Sequence, residues 1–367
     1  MTSQISIIMP CYNRAHDLHR VLSAYDIQEC NVRFELIAID DASSDDTYDL
    51  LISYKPKNYV LKVLRHQSNL GPAAARNTGI SMADSPVLIF VGDDILPFRN
   101  FVSGHFYAHQ EYRNETIAIL GKVTWPPDMP SNNLMKHIDG VGAQQFSYYY
   151  MREGQTYDFR HFYTCNVSIK RDFLFSEKKW FDTDFIFAAF EDAELGYRLS
   201  KKGLKIVYQP QIVGYHYHYH TSISFSMRQY KSGLMSYLLI KKHPGTVRVL
   251  KTQIKRLIRL MLFPSFPQKS QHTDFEERMW KNAIRLISYF ETYPNKSVDY
   301  LFLKVLEYSY YNGFIDAIFK EKFIRPIIRY NHYKFYLKPA IRYFYRSIAD
   351  EEDKNILLHY GFADAVS

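Results

Sequence analysis

The chain has 367 residues, 47% of them hydrophobic, 23% charged and 16% aromatic. That balance supports a sizeable buried core and excludes a disordered, collagenous or disulfide-stapled chain. The formal charge of +8 is unevenly placed: residues 1 to 220 hold 22 Lys and Arg against 25 Asp and Glu, whereas residues 221 to 367 hold 24 against 13. No acid falls between Glu194 and Asp274, so the second part presents a basic surface suited to phosphates, nucleic acid or anionic lipid. No apolar run reaches the roughly 18 residues of a membrane span. Met1 to Gln4 lead straight into an apolar run without the regions of a signal peptide, which predicts a cytoplasmic location. Cys11, Cys30 and Cys165 have neither disulfide nor metal-site spacing and are expected to be reduced.

In chain order, Ser6 to Pro10 reads as a short buried strand, and Cys11-Tyr12-Asn13-Arg14 as the loop that leaves it. Asp17 to Tyr25 places Leu18, Val21, Leu22 and Tyr25 at helical spacing. Phe34 to Asp41 is a second buried strand ending in Asp40 and Asp41, followed by Ser43 to Asp46 as the N-terminal cap of a helix. Tyr59 to Arg65 is a third strand, Asn69-Leu70-Gly71-Pro72 a turn, and Ala73 to Ala83 a helix carrying Arg76 and Asn77. Val87 to Asp94 is the central strand: its apolar run is buried on both faces and stops at Asp93 and Asp94. Ligands of open α/β sheets gather outside the carboxyl ends of the strands, and paired carboxylates there suit Mg²⁺ or Mn²⁺ held with a phosphorylated substrate. Gly-Asp-Asp also punctuates ordinary loops. Strands and helices alternating at this rhythm predict βαβ units and a mostly parallel sheet flanked by helices.

Farther on, Trp125 to Pro130 breaks any helix, and Phe146 to Met151 with Tyr157 to Tyr163 is dense in aromatic rings. These rings suit sugar stacking and ordinary packing equally well. Phe190 to Leu199 reads as a helix closed by Gly203, its first turn holding Glu191, Asp192 and Glu194, where acids are also favoured by the helix dipole. After a strand at Lys205 to Gln209, His216, His218 and His220 alternate with tyrosines, which puts all three on one face if the segment is extended. They read as ligands for a Mn²⁺-type ion or as surface histidines on an aromatic ribbon.

Four segments together resemble the inverting glycosyltransferases of family 2, which have the GT-A fold: Ile-Ile-Met-Pro-Cys-Tyr-Asn-Arg, Ile-Asp-Asp-Ala-Ser-Ser-Asp-Asp-Thr, Asn-Leu-Gly-Pro-Ala-Ala-Ala-Arg-Asn-Thr-Gly and Val-Gly-Asp-Asp. The resemblance covers about residues 4 to 220. It implies a metal-dependent enzyme, using Mn²⁺ or Mg²⁺, that moves a hexosyl or N-acetylhexosaminyl group from a nucleotide-sugar donor, normally a UDP-sugar. The acceptor would be a hydroxyl of a glycan or lipid-linked molecule in polysaccharide synthesis. By the same resemblance Tyr12 packs against the base in a loop shaped by Pro10, with Asn13 and Arg14 beside it. Asp41 hydrogen-bonds the base, Asn69 and Arg76 lie near the nucleotide, Asp93 faces ribose or sugar, and Asp94 ligates the metal. Gly92 stands where the family often has a third acid. His216 is similar to the family's metal-binding histidine, with His218 as second choice, and Asp192, then Glu191, to the general base on the acceptor hydroxyl.

The expected division is a GT-A domain over 1–222 and a basic, aromatic-rich helical region over 223–367. Val247, Leu250, Ile254, Leu257, Ile258 and Met261 recur at helical spacing opposite Arg248, Lys251, Lys255 and Arg259. A basic amphipathic helix over 247–263 suits the plane of an anionic membrane on its inner face, and equally suits packing its apolar side on the catalytic domain. Two other functions remain open on the sequence. Nucleic-acid-directed nucleotidyl transfer predicts salt-dependent binding of RNA or DNA. A non-catalytic scaffold binding membranes or polyanions predicts that the carboxylates are dispensable.

Overall fold

A computed structural model of the chain describes residues 3–29, 31–141, 144–145, 148–248, 255, 273–291, 298–319, 329, 331–347 and 351–366. The chain forms two compact units, one of residues 1–130 with 146–218 and one of 131–145 with 219–367. The first unit is an α/β domain. Its strands are β1 (Ile5–Cys11), β2 (Phe34–Asp40), β3 (Val60–Arg65), β4 (Val87–Val91), β5 (Ile95–Pro97), β6 (Ile117–Thr124), β7 (Thr156–Tyr157), β8 (Asn166–Lys170) and β9 (Lys205–His216). β2 and β4 are buried throughout, as expected of central strands whose two faces are both covered. Alternate β1 residues serve opposite faces. Ile5 and Ile7 pack with Leu18, Val21 and Leu22 of α1 (Ala15–Asp26) and Leu51 of α2 (Thr47–Ser53), and Ile8 packs on the other side with Ala75 and Ile80 of α3 (Pro72–Ser81).

The strand order is β3-β2-β1-β4-β8-β6-β9-β5, with β7 on β9. β3, β2, β1 and β4 are parallel, but β8 enters antiparallel between β4 and β6, so the sheet is mixed. α4 (Phe101–Glu111) carries the chain back to the amino end of the sheet for β6, which runs with β4, and β8 is then entered from the carboxyl end, where Val91 faces Asn166. β9 runs past the expected Gln209 to His216, with a register shift against β6 between Gly121 and Lys122. Asn166 fills this irregularity, its amide donating to the carbonyls of Lys122 and Ile212 at 3.0 Å each. Its oxygen must therefore accept, which makes His105 Nε2 the donor at 2.9 Å and leaves His105 Nδ1 to accept from Ser168 Oγ at 2.8 Å. His109 Nε2 meets the same hydroxyl at 2.9 Å.

This buried network keeps both histidines neutral. Burial pushes His105 down to about 4, and burial with the charge of Lys170 pushes His109 down to about 3. In the unfolded chain both protonate near pH 6.5, so the stability they confer is complete above that pH and is lost as pH falls toward 4. Each histidine should cost on the order of 3 kcal/mol over that range. Urea midpoints at pH 7.5 and pH 5 are expected to fall apart accordingly. The His105→Gln, His109→Gln double variant should show a flatter pH slope; an unchanged slope would remove the histidines as its cause.

The second unit is helical among the described residues: α5 (Asn133–Asp139), α8 (Ser222–Lys242), α9 (Thr273–Tyr289), α10 (Val298–Ile318), a π-helical turn (Tyr333–Leu337), α11 (Lys338–Ser347), α12 (Glu351–His359) and α13 (Ala363–Val366). α8 starts in a capping box made by Thr221 and Ser224. It crosses α10 through two reciprocal glycines. A Cβ on Gly233 would overlap the Tyr310 carbonyl and lie 2.8 Å from the Phe314 amide, and one on Gly313 would overlap the Tyr230 carbonyl. Alanine gains up to about 1 kcal/mol of helix propensity. Backbone overlap costs more, so Gly233→Ala is expected to destabilise by about 3 kcal/mol, read as a lower denaturation midpoint of the full chain. An unchanged midpoint would mean the helices do not cross so closely. The amphipathic stretch 247–263 lies outside the described residues apart from Val247, Arg248 and Lys255. Among the described residues no helix is long and apolar enough to cross a membrane.

Candidate functional site

The carboxyl ends of β1, β2, β4 and β6, the start of β8 and the end of β9 meet at one edge of the first unit. Register explains the meeting: Cys11 faces Asp40, Val91 faces Asn166, Thr124 faces Tyr215 and Ile95 faces His216. Among the described residues, Asn13, Ala42 and Phe190 are the non-glycine residues with left-handed backbone, at φ +50°, +60° and +66°. Such strain costs about 1–3 kcal/mol each and tends to collect at working sites. All three lie in segments that build this edge.

The β1 loop is laced to the β2 loop. Asn13 N donates to Ser43 Oγ at 2.9 Å, Asn13 Oδ1 accepts from Ser44 N at 2.8 Å, and Arg14 N donates to Thr47 Oγ1 at 2.7 Å. Pro10 sits where β1 continues beside β2 but no longer pairs with β4, so its missing N–H costs no ladder bond. Tyr12 is 47% exposed while its amide donates to Asp93 Oδ2 at 3.0 Å. Asp41 is buried and already engaged: Leu70 N and Gly71 N donate to its two oxygens at 2.9 and 2.8 Å, and His66 Nδ1 lies 2.7 Å from Oδ1. It braces the turn that starts α3, with Asn69 exposed just before it.

Asp93 and Asp94 share Arg14, whose Nε lies 3.3 Å from Asp93 Oδ1 and whose Nη2 lies 3.3 Å from Asp94 Oδ2. The same Asp94 oxygen faces His216 Nε2 at 3.2 Å and His218 Nδ1 at 3.4 Å. Burial works to raise Asp94, but His216, His218 and Arg14 outweigh it and hold the carboxyl well below its usual range. Burial and then the charge of Asp94 push Asp93 the other way. The two adjacent carboxyls are thus shifted in opposite directions, as close like charges are. At Gly92 an added Cβ would lie 2.7 Å from Asp94 Oδ1, so a third acid there would press on the carboxylate that faces the histidines. The donor atoms of Asp94, His216 and His218 lie within 4.8 Å of one another, the grouping of this kind found among the described residues. One carboxylate with two imidazoles suits Mn²⁺ better than Mg²⁺, which prefers oxygen throughout. His220 does not join them: β9 ends at His216, and His220 is buried in the second unit against Phe225.

β8 leads into the short α6 (Arg171–Phe175), and the second pair of acids opens the next helix, α7 (Glu191–Ser200), directly after the left-handed Phe190. Arg76 is directed at Glu191, Nη1 to Oε1 at 2.9 Å with both side chains buried, and its guanidinium lies over the Phe181 ring. Asp192 is only half-buried and accepts the amides of Ala193 and Thr164. Burial and then the charge of Glu191 raise its carboxyl to about 7, against the pull of Arg76. The loop just before β8 links the two acid pairs: the Cys165 thiol is raised by burial and by the charges of both Asp192 and Asp94. Sequence reading missed Thr164, Cys165, His66 and Trp125, whose indole stacks on His216 at 5.4 Å and 15°. Only Trp125 carried a signal, as a large ring in a Pro-rich loop.

Residues 6–175 match the model of glycosyl transferase family 2. The chain is 26% identical over 254 residues to the uncharacterized glycosyltransferase YfnE of Bacillus subtilis, covering 58% of this chain and 64% of that one. It is 26% identical over 267 residues to validoxylamine A glucosyltransferase of Streptomyces hygroscopicus subsp. jinggangensis, covering 66% and 61%. Over 151 residues it is 29% identical to UDP-Glc:alpha-D-GlcNAc-diphosphoundecaprenol beta-1,3-glucosyltransferase WfgD of Escherichia coli, covering 38% and 57%. The chain thus spans less than two thirds of the length of these curated relatives. The strands and loops that build the first acid pair and its surroundings, residues 6–175, are thus similar to glycosyl transferase family 2.

Proposed function

We propose that the protein transfers a sugar from a nucleotide donor, a UDP-sugar, to a hydroxyl of a glycan or lipid-linked acceptor, with inversion at the anomeric carbon. The observation that carries this reading is the presence of two acid sites in one unit: Asp94, whose Oδ2 lies 3.2 Å from His216 Nε2 and 3.4 Å from His218 Nδ1, and the half-buried Asp192 in the first turn of α7. The match of residues 6–175 to the glycosyl transferase family 2 model and the similarity to relatives named as glucosyltransferases support the reaction class. The donor would lie over Pro10, Tyr12 and Asn13, with the Tyr12 ring against the base and Asp41 and Asn69 shaping the wall opposite. Arg14 and Asp93 would meet its charged and sugar portions. Asp94, His216 and His218 would hold Mn²⁺ or a similar divalent ion, which when bound offsets charge on the departing diphosphate.

Asp192 would take the acceptor proton as the new bond forms from the hydroxyl oxygen to the anomeric carbon. The bond from that carbon to the diphosphate oxygen breaks in the same step, its electron pair leaving with the nucleoside diphosphate. Glu191 is less suited because Arg76 already neutralises it in a buried pair. Instead, Arg76 and Glu191 would fix α7 so that Asp192 faces the acceptor. The basic composition of residues 221 to 367 suits an acceptor displayed at an anionic membrane surface. Screening nucleotide sugars for diphosphate release with and without Mn²⁺ tests the reading. Metal-stimulated release from one or a few sugar nucleotides is expected, and no release from any of them would reject it.

A further inference from the structure

β9 and its pairing with β5 end at His216, so His218 follows on backbone that no strand partner fixes, with its side chain 35% exposed. Between the two donors stands Tyr217, held from three sides. Its amide donates to the Asp94 carbonyl at 2.8 Å. Its hydroxyl donates to Asp128 Oδ1 at 2.6 Å. Its ring lies under the Arg20 guanidinium at 4.0 Å, and Arg20 Nη2 closes the circle on Asp128 Oδ2 at 2.6 Å. Asp128 belongs to the loop whose first residue, Trp125, stacks on His216. One short loop, stiffened by three prolines, therefore grips the donor segment at both of its first two residues.

We infer that Asp128, Tyr217 and Arg20 form a clasp that positions His218 against Asp94, so that these surface residues set metal affinity without touching the ion. Groups behind the ligands orient them, and their loss commonly weakens metal binding by about 10–100-fold. Arg20 and Asp128 are more than half exposed, and an exposed pair contributes little to overall stability. The clasp therefore predicts weaker metal binding in a chain that still folds normally. This inference rests on the metal reading of Asp94, His216 and His218.

The test titrates Mn²⁺ alone into the full chain, by calorimetry and by loss of the free-ion paramagnetic resonance signal, for wild type, Tyr217→Phe, Asp128→Asn and the double variant. Phenylalanine keeps the ring under Arg20 and removes only the hydroxyl. Each single variant is expected to bind Mn²⁺ about tenfold more weakly. The double variant should be no weaker than the worse single one, because both break the same link. Melting temperatures without metal should stay close to wild type. If wild type binds Mn²⁺ and Tyr217→Phe binds it equally, or the two losses simply add, the clasp is overturned while the donor site stands. If wild type takes up no Mn²⁺, the donor site itself falls and takes the inference with it.

Discussion

Asp192→Asn is expected to lower turnover about a thousandfold, in the range that removal of a general base produces. Folding and donor binding should be left nearly intact. The side chain is half-buried, and it accepts from the Ala193 and Thr164 amides, which the carbonyl oxygen of an asparagine can still do. The pH profile gives a sharper signature. Burial and the neighbouring charge of Glu191 raise Asp192 to about 7, and only the ionised form can take a proton. The wild-type rate should rise with pH through that region, and the rise should vanish in Asp192→Asn. Glu191→Gln is the informative contrast. It leaves the Arg76 guanidinium buried without its counter-charge, a defect that costs about 3–5 kcal/mol, so its loss of activity should come with a large drop in melting temperature. Wild-type turnover in Asp192→Asn would move the base to another residue.

The strands that build this site were legible because β1, β2 and β4 are buried on both faces and show as mostly apolar runs, broken only by Ser6 in β1 and Glu35 in β2 before the polar loops at their ends. The antiparallel entry of β8 was not legible, because pairing direction follows from how a strand is reached and leaves no mark in five residues. The His-Tyr alternation predicted three histidines on one face, and two of them do meet Asp94. His220 parts from them because alternation holds only while the backbone stays extended, and the strand ends at His216. Arg76 could be placed near a nucleotide by resemblance alone. Its contact with Glu191 spans 115 residues of sequence, beyond the reach of any local pattern. Asp41 shows the same gap: its position at the end of β2 was readable, its engagement with Leu70, Gly71 and His66 was not.

Asp94→Asn should abolish Mn²⁺ uptake and reduce turnover by at least about a thousandfold, since it removes the one carboxylate of the donor set. The change is nearly isosteric, so the effect would be electrostatic. The three groups around Asp94 Oδ2 then divide by what they contribute. His216 is buried and stacked between Trp125 and His218, so His216→Ala opens a hole as well as deleting a donor, whereas the half-exposed His218 should cost less. Arg14 acts in the opposite sense. Its guanidinium already balances Asp93 and Asp94, so a divalent ion arriving at Asp94 competes with a cation that is part of the chain. Arg14→Gln is therefore expected to tighten Mn²⁺ binding severalfold when no donor is present, and to weaken binding of the nucleotide sugar. Calorimetric titration of the metal and then of the sugar nucleotide separates the two effects. Weaker Mn²⁺ binding in Arg14→Gln would show that the arginine holds the carboxylates in place for the ion instead of competing with it.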